Sequence, residues 1–375
     1  MKIGLVLERF DPQKGGLEHW TWQFAHRLIE LEFEVHVIAF EFAKQDGETQ
    51  LVSHPMEKSS SPLRRAAAIE KKLRNLKLDV IHDMGCGWFA DIFHPHGGST
   101  LALWEHNLMR IPRWRQIRFW REKRYRELAE IEKRQHANEK SIIVAVSRMV
   151  QEHFQTLHGM PPERIRLIYN GVDSTRFSPE QCRDFREPTR RKLGCRADET
   201  VLLLVAHNLL LKNAETAIRA FSRLLATGAE ARLVIVGGKR TLPFISLADK
   251  LGVSGLVAFF EPVSDVRPYY AAADVYLHPT WYDPCSLVAL EAFACGLPVI
   301  TTRFNGVSEL MTNGGQGFVL DNPADAGALA EKMKRVCDSG VRRQMGDAAR
   351  QLVAAHTFEN QVDEFLALYR SITRK

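Results

Sequence analysis

Two carboxylates, Asp283 and Glu291, bracket the start of an Ala- and Leu-rich helix in the stretch Tyr282–Ile300, YDPCSLVALEAFACGLPVI. A strand ending near His278 feeds the loop before that helix, and Gly296 and Pro298 close it before another strand. The first turn, around Ser286, Leu287 and Val288, presents backbone N–H groups at the positive end of the helix dipole, which suits phosphate. Asp283 lies just before that turn and Glu291 on the second, so both can address one ligand. Carboxylates are good acceptors for sugar or ribose hydroxyls. The same residues also read as plain structure, with Asp283 an N-cap, Pro284 at the first helical position and Glu291 on a solvated face.

Other polar residues stand at comparable positions. Lys212 follows an apolar run, Val201 to Ala206, and by itself reads as a surface lysine. Gly15 and Gly16 follow the first apolar run and read alone as a tight turn. His94 and His96 sit together in His-Pro-His-Gly-Gly, either one catalytic or structural. No Asp-x-Asp pair and no His/Cys cluster with metal-ligand spacing occurs, so no metal is expected.

The elements that must position these residues alternate. Ile3 to Leu7 is a continuous apolar run, as in a parallel strand covered on both faces. Leu17, Trp20, Phe24, Leu28 and Leu31 recur at helical spacing, and Val35–Ala39, Asp79–His82, Ile142–Val146 and Ile165–Ile168 read as further strands. Between Asn170 and Asp198 the periodicity lapses around Pro179 and Pro188, which reads as a linker. A second series follows, with strands at Val201–Ala206, Leu233–Val236, Leu256–Phe259, Val275–His278 and Val299–Thr301 and helices at Ala214–Leu225 and Leu287–Ala294. From Ala324 onward the chain reads as helical. The pattern predicts an α/β protein of two Rossmann-like domains with parallel sheets, residues 1–172 and 173–356, with ligands at the carboxyl ends of the strands and a cleft between the domains.

Composition narrows the class. With 375 residues, 45% hydrophobic and 26% charged, the chain reads as a globular protein of two domains, and disorder is not indicated. Its cysteines form no C-x-x-C pair and read as reduced thiols. The opening MKIGLVLERF is too short in apolar residues for a signal peptide, and no run approaches a membrane span, so a cytoplasmic location is expected. The net charge of +6 suits anionic partners. Basic and aromatic residues interleave from Trp104 to Arg126, including Arg113, Trp114, Arg115, Arg118, Trp120 and Arg121. That mixture fits anionic lipid headgroups, a solvated basic face, or single-stranded nucleic acid.

The Tyr282–Ile300 segment resembles the signature of glycosyltransferase family 4, a group with the GT-B fold. The match lies at Glu291, Ala292, Cys295, Gly296, Pro298 and Val299, with Asp283 where the family has Glu. The resemblance extends to Gly15-Gly16, Asn170-Gly171-Val172-Asp173, Asp274–Pro279 and the helical tail from Thr357, and so runs nearly end to end. It implies that the tail, residues 357–375, crosses back to the first domain.

The resemblance also implies roles. Asp283 contacts the donor sugar, Glu291 the nucleotide ribose, and Ser286, Leu287 and Val288 the phosphate. Lys212 neutralises the departing diphosphate, Gly15 and Gly16 face the donor phosphate and acceptor, and His96 touches the donor sugar. His207 stands where the family has an Arg, and Asn213 replaces the Gly after Lys212. Phe244–Phe260 is similar to bacterial lipopolysaccharide core glucosyltransferases. The implied activity is metal-independent retaining transfer from a nucleotide-sugar to a glycan or lipid-linked acceptor, in lipopolysaccharide or other cell-envelope polysaccharide synthesis. The protein would rest peripherally on the inner face of the cytoplasmic membrane through the basic aromatic segment, with no nucleic-acid partner. The alternatives are a nucleotide-sugar epimerase, a phosphorylase, or a non-catalytic nucleotide-sugar-binding protein. A nicotinamide oxidoreductase is disfavoured because no G-x-G-x-x-G follows the first strand.

Overall fold

The computed structural model describes residues 1–43, 50–110 and 123–373. The chain divides into two compact units, Met1–Tyr169 with Val362–Lys375, and Asn170–Gln361.

In the first unit the strands are β1 (Lys2–Val6), β2 (Arg9–Phe10), β3 (Glu34–Ala39), β4 (Glu41–Phe42), β5 (Val52–Pro55), β6 (Val80–Asp83), β7 (Ile92–Phe93), β8 (Ile142–Ala145) and β9 (Ile165–Leu167). Seven of them form a parallel sheet in the order β5-β3-β1-β6-β7-β8-β9. The helices are α1 (Gly16–Glu30), α2 (Pro62–Leu73), α3 (Thr100–Met109), α4 (Lys123–Ala137) and α5 (Arg148–His158). β1 and β3 are fully buried over Val35, Val37, Ile3 and Leu5, which explains their unbroken apolar runs.

The second unit begins with α6 (Pro179–Lys192) and carries β10 (Thr200–Val205), α7 (Ala214–Leu225), β11 (Ala231–Val236), α8 (Leu242–Lys250), β12 (Val257–Phe260) and α9 (Arg267–Ala272). It continues with β13 (Val275–His278), α10 (Leu287–Ala294), β14 (Val299–Thr302), β15 (Gly317–Leu320), α11 (Ala326–Val336) and α12 (Ser339–Val353). The sheet order is β12-β11-β10-β13-β14-β15, all parallel. The order reverses between β10 and β13, so the loops after these two strands open on the same point.

The segment read as a linker is a correction: α6 runs through it. Ser178 caps the helix by accepting from the Gln181 amide, and Pro179 occupies its first turn, where a missing N–H is harmless. Only Cys182 and Arg190 of the helix are buried, so the apolar stripe was too thin to read. Arg190 is held by the Asp274 carboxylate at 3.0 Å and by the Ala272, Arg196 and Glu199 carbonyls, which seats α6 against the second sheet.

The last helix, α13 (Phe358–Thr373), returns to the first unit. Phe365 packs 5.4 Å from Phe24 and 5.0 Å from His82, ring centre to ring centre, and the Tyr369 hydroxyl lies 2.6 Å from His82 Nδ1.

Candidate active site

The loop from β13 to α10 is held from several sides before any ligand enters. The Asp283 amide donates to the Phe304 carbonyl, and the Gly306 amide to the Asp283 carbonyl. Asn305 accepts from the Ser286 and Val307 amides and donates to Thr301 Oγ1. Asn170 donates to the Cys285 carbonyl at 2.7 Å, which gives the Asn-Gly-Val-Asp motif a concrete task. Gly171 belongs to the same anchor: a Cβ there would collide with the Thr357 backbone.

Ser286 is the N-cap of α10, accepting from the Ala289 amide. Asp283 is therefore not the cap, and that structural reading falls. With Ala289 capped, the amides of Leu287 and Val288 are the first-turn donors lacking an intrahelical acceptor. Glu291 follows Leu287 by four residues and Val288 by three, which puts its carboxylate on their face of the helix.

Asp283 is nine-tenths buried and engaged through a single oxygen. Lys212 Nζ lies 2.6 Å and His278 Nε2 2.7 Å from Oδ2. Burial alone would push this carboxyl up; the Lys212 cation and the His278 hydrogen bond outweigh it and hold the group well below the usual carboxylate range. Burial likewise keeps His278 below its ordinary value, against the pull of Asp283, so the imidazole is neutral and donates its Nε2 proton. Lys212 precedes Asn213, whose backbone is left-handed at φ 59 and whose side chain caps α7. The departure from the family's Gly is thus met by a residue that tolerates this conformation. His207 is exposed.

Glu291 has a different environment. The buried Tyr270 hydroxyl lies 2.8 Å from Oε2 and 3.0 Å from the Val288 carbonyl oxygen. Burial pushes the Glu291 carboxyl up to about 7, partly offset by the Tyr270 hydrogen bond. The site thus holds one permanently charged carboxylate and one that changes charge near neutrality.

The first unit carries the remaining candidates. Gly15 precedes α1 in extended backbone, with φ 175 and ψ 178, so the tight-turn reading does not hold. A Cβ on it would stand 2.6 Å from Glu18 Oε2, and Glu18 is itself bound by Arg9. His94 is fully buried beside Trp20 and Phe365, which marks it as structural. His96 is half-buried, its ring 4.7 Å from Trp20, and burial pushes it down to about 3. Arg113, Trp114, Arg115, Arg118, Trp120 and Arg121 lie outside the described residues. Trp104, from the same segment, is buried and packs edge-on against Tyr125 at 4.9 Å, and so belongs to the core.

Comparison with known proteins accounts for both units. The family described as Glycosyltransferase Family 4 matches residues 14–176, and Glycosyl transferases group 1 matches residues 185–352. Each half of the chain thus resembles one of these two glycosyltransferase families. The D-inositol 3-phosphate glycosyltransferase of Acidothermus cellulolyticus is 32% identical over 62% of this chain, and the lipopolysaccharide glucosyltransferase WaaG of Escherichia coli is 31% identical over 60%. The matches span only 55% and 62% of those relatives' own lengths.

The fold of the chain is that of GT-B structures. A crystal structure of WaaG, a glycosyltransferase involved in lipopolysaccharide biosynthesis, superposes with a TM-score of 0.84 at 23% identity, covering 98% of this chain and 99% of that one. Anabaena HepE in complex with UDP-glucose superposes with a TM-score of 0.74 at 19% identity, covering 98% and 100%.

Three residues of the candidate site were not singled out from sequence: His278, Tyr270 and Asn305. His278 lies five positions before Asp283, a spacing that signals nothing until the loop brings them together. Tyr270 and Asn305 belong to neighbouring elements outside the signature stretch. Among the described residues, no helix is long and apolar enough to cross a membrane.

Proposed function

We propose that this glycosyltransferase moves a sugar, with retention of anomeric configuration, from a nucleotide-sugar onto a glycan or lipid-linked acceptor. The observation that carries the reading is the Lys212–Asp283–His278 cluster beside the first turn of α10, with Glu291 on the same helix. In this reading the Leu287 and Val288 amides and Lys212 take the diphosphate. Asp283 Oδ1 accepts from a donor-sugar hydroxyl, while Oδ2 stays with His278 when Lys212 turns to phosphate. Glu291 accepts from the ribose. Ser286 acts through its cap rather than by direct contact.

Asp283 is assigned to orienting the donor sugar rather than to covalent attack, since Oδ2 stays held by His278 and Oδ1 is committed to the sugar hydroxyl. The acceptor hydroxyl would therefore enter on the face from which diphosphate departs, and the phosphate would take its proton. The protein supplies position and charge stabilisation. His96, neutral through burial, would offer one hydrogen bond to the donor sugar, and Gly15 and Gly16 would leave room for its phosphate. The lipopolysaccharide or cell-envelope setting belongs to the same proposal, supported by the likeness to WaaG, and so does peripheral contact with the anionic inner membrane, supported by the run of arginines at 113–121.

Turnover of the parent with a matched donor and acceptor, with the product anomer read by NMR, tests the mechanism. Retained configuration is expected, together with a loss of about 100-fold or more in kcat for Lys212→Met. An inverted product, or a Lys212→Met enzyme as fast as the parent, would reject it.

A further inference from the structure

We propose that Glu132, His136 and His158 form a binding site for one zinc ion in the first unit, among residues the transfer reaction does not use. Glu132 and His136 are separated by one helical turn on α4, so they project from one face. His158 is the last residue of α5, fixed there by Gly159, which ends the helix in left-handed backbone at φ 63. One ligand atom from each of the three side chains lies within 4.8 Å of the other two. His158 Nε2 stands 3.6 Å from Glu132 Oε1, which sets the carboxylate against the imidazole within the reach of one small cation. The wider separations are within reach of small side-chain rotations.

The strongest sign is what these groups lack. Glu132 is buried at 5% exposure, and its Oε2 has no hydrogen-bond partner among the described residues; neither does the buried His136 Nε2. Buried polar atoms are rarely left unpaired, and one bound cation would satisfy both of these. The other carboxylate oxygen, Oε1, is aimed by the Thr100 amide at 3.0 Å, the kind of outer contact that orients a metal-binding carboxylate.

The electrostatics agree. His136 lies in the last turn of α4 and His158 in the last turn of α5, so the negative ends of two helix dipoles meet at the cluster. Burial pushes His136 down to about 3 and His158 to about 4, leaving both imidazoles neutral and able to donate a lone pair. One cation opposes this: Arg164 donates to the carbonyls of His136, Asn138 and Ser141 at the end of α4. His153 is a further neighbour of His158. Two imidazoles and one carboxylate suit Zn2+ better than the hard cations, which take oxygen ligands. The Ser99 hydroxyl, 2.9 Å from His158 Nε2, gives up that lone pair and either ligates or leaves the fourth position to water. The ion would tie α3, α4 and α5 together.

Zinc titration of the full chain, purified without a histidine tag and stripped with chelator, tests the site. One tightly held equivalent is expected. X-ray absorption should show two imidazoles with oxygen and no sulfur. Glu132→Gln, His136→Ala and His158→Ala should each weaken zinc binding by at least about tenfold, while His26→Ala should not. Absence of a bound equivalent, sulfur among the ligands, or variants that bind like the parent would overturn the proposal. If the histidine variants fail to fold, the ligand set seen by X-ray absorption in the parent decides.

Discussion

Glu291 and Asp283 lie on one short stretch of chain yet behave as opposites, because their partners differ. Asp283 has a cation and an imidazole on one oxygen; Glu291 has a tyrosine hydroxyl on its carboxylate and only the more distant charge of Arg176. With its carboxyl at about 7, Glu291 is neutral below neutrality and ionised above it. In the proposed site only the ionised form of Glu291 can accept from both ribose hydroxyls, so donor affinity should rise as pH climbs through about 7. Glu291→Gln should bind more weakly at high pH and lose the step; calorimetric titration with the donor nucleotide across pH 6–8.5 would check this. The sign for stability is the reverse. The unfolded chain ionises Glu291 from about 4.5, whereas the folded one waits until about 7, so this residue subtracts stability as pH rises between those values. Denaturant midpoints of Glu291→Gln should accordingly fall less over that window than those of the parent.

The loop between β13 and α10 acts as a rigid element because its backbone is tied to β14 and to Asn170. Asn305 carries the largest share, serving two amides and one hydroxyl from a buried side chain. Asn305→Ala should destabilise the second unit by about 1–3 kcal/mol, since buried donors lose their acceptor. It should also slow turnover more than it weakens nucleotide binding; unfolding curves with a kcat and KM split would show both. Elements of this kind were unevenly legible in the sequence. The helices Ala214–Leu225 and Leu287–Ala294 could be read to the residue, because capping side chains and apolar stripes coincide there. The helix Pro179–Lys192 could not, since its buried contact is the arginine Arg190. β15 was equally silent: it has four residues and starts at Gly317, whose φ of 146 and close approach to Val299 resemble no strand signal. Asp283, Glu291 and Lys212 were visible because they sit in or near a motif, whereas His278, Tyr270 and Asn305 depend on pairings between separate elements. The Glu132–His136–His158 cluster escaped for the same reason.

At the scale of the whole molecule, the C-terminal helix belongs to the unit that the chain leaves first. Phe365 fills the space between Trp20, Phe24, His82 and His94, and Tyr369 reaches His82. The first unit is thus completed only when the last residues are in place. Phe365→Ala should destabilise that unit by about 3–5 kcal/mol and separate its unfolding from that of the second, giving two calorimetric transitions.

Nucleoside diphosphate release from a panel of UDP-, GDP- and ADP-sugars, each with and without a bacterial lipid extract, tests the central claim most directly. Release from one donor that depends on the extract, and that Asp283→Asn abolishes, is the predicted result. No release from any donor while nucleotide binds normally, or release that Asp283→Asn leaves unchanged, would contradict the account.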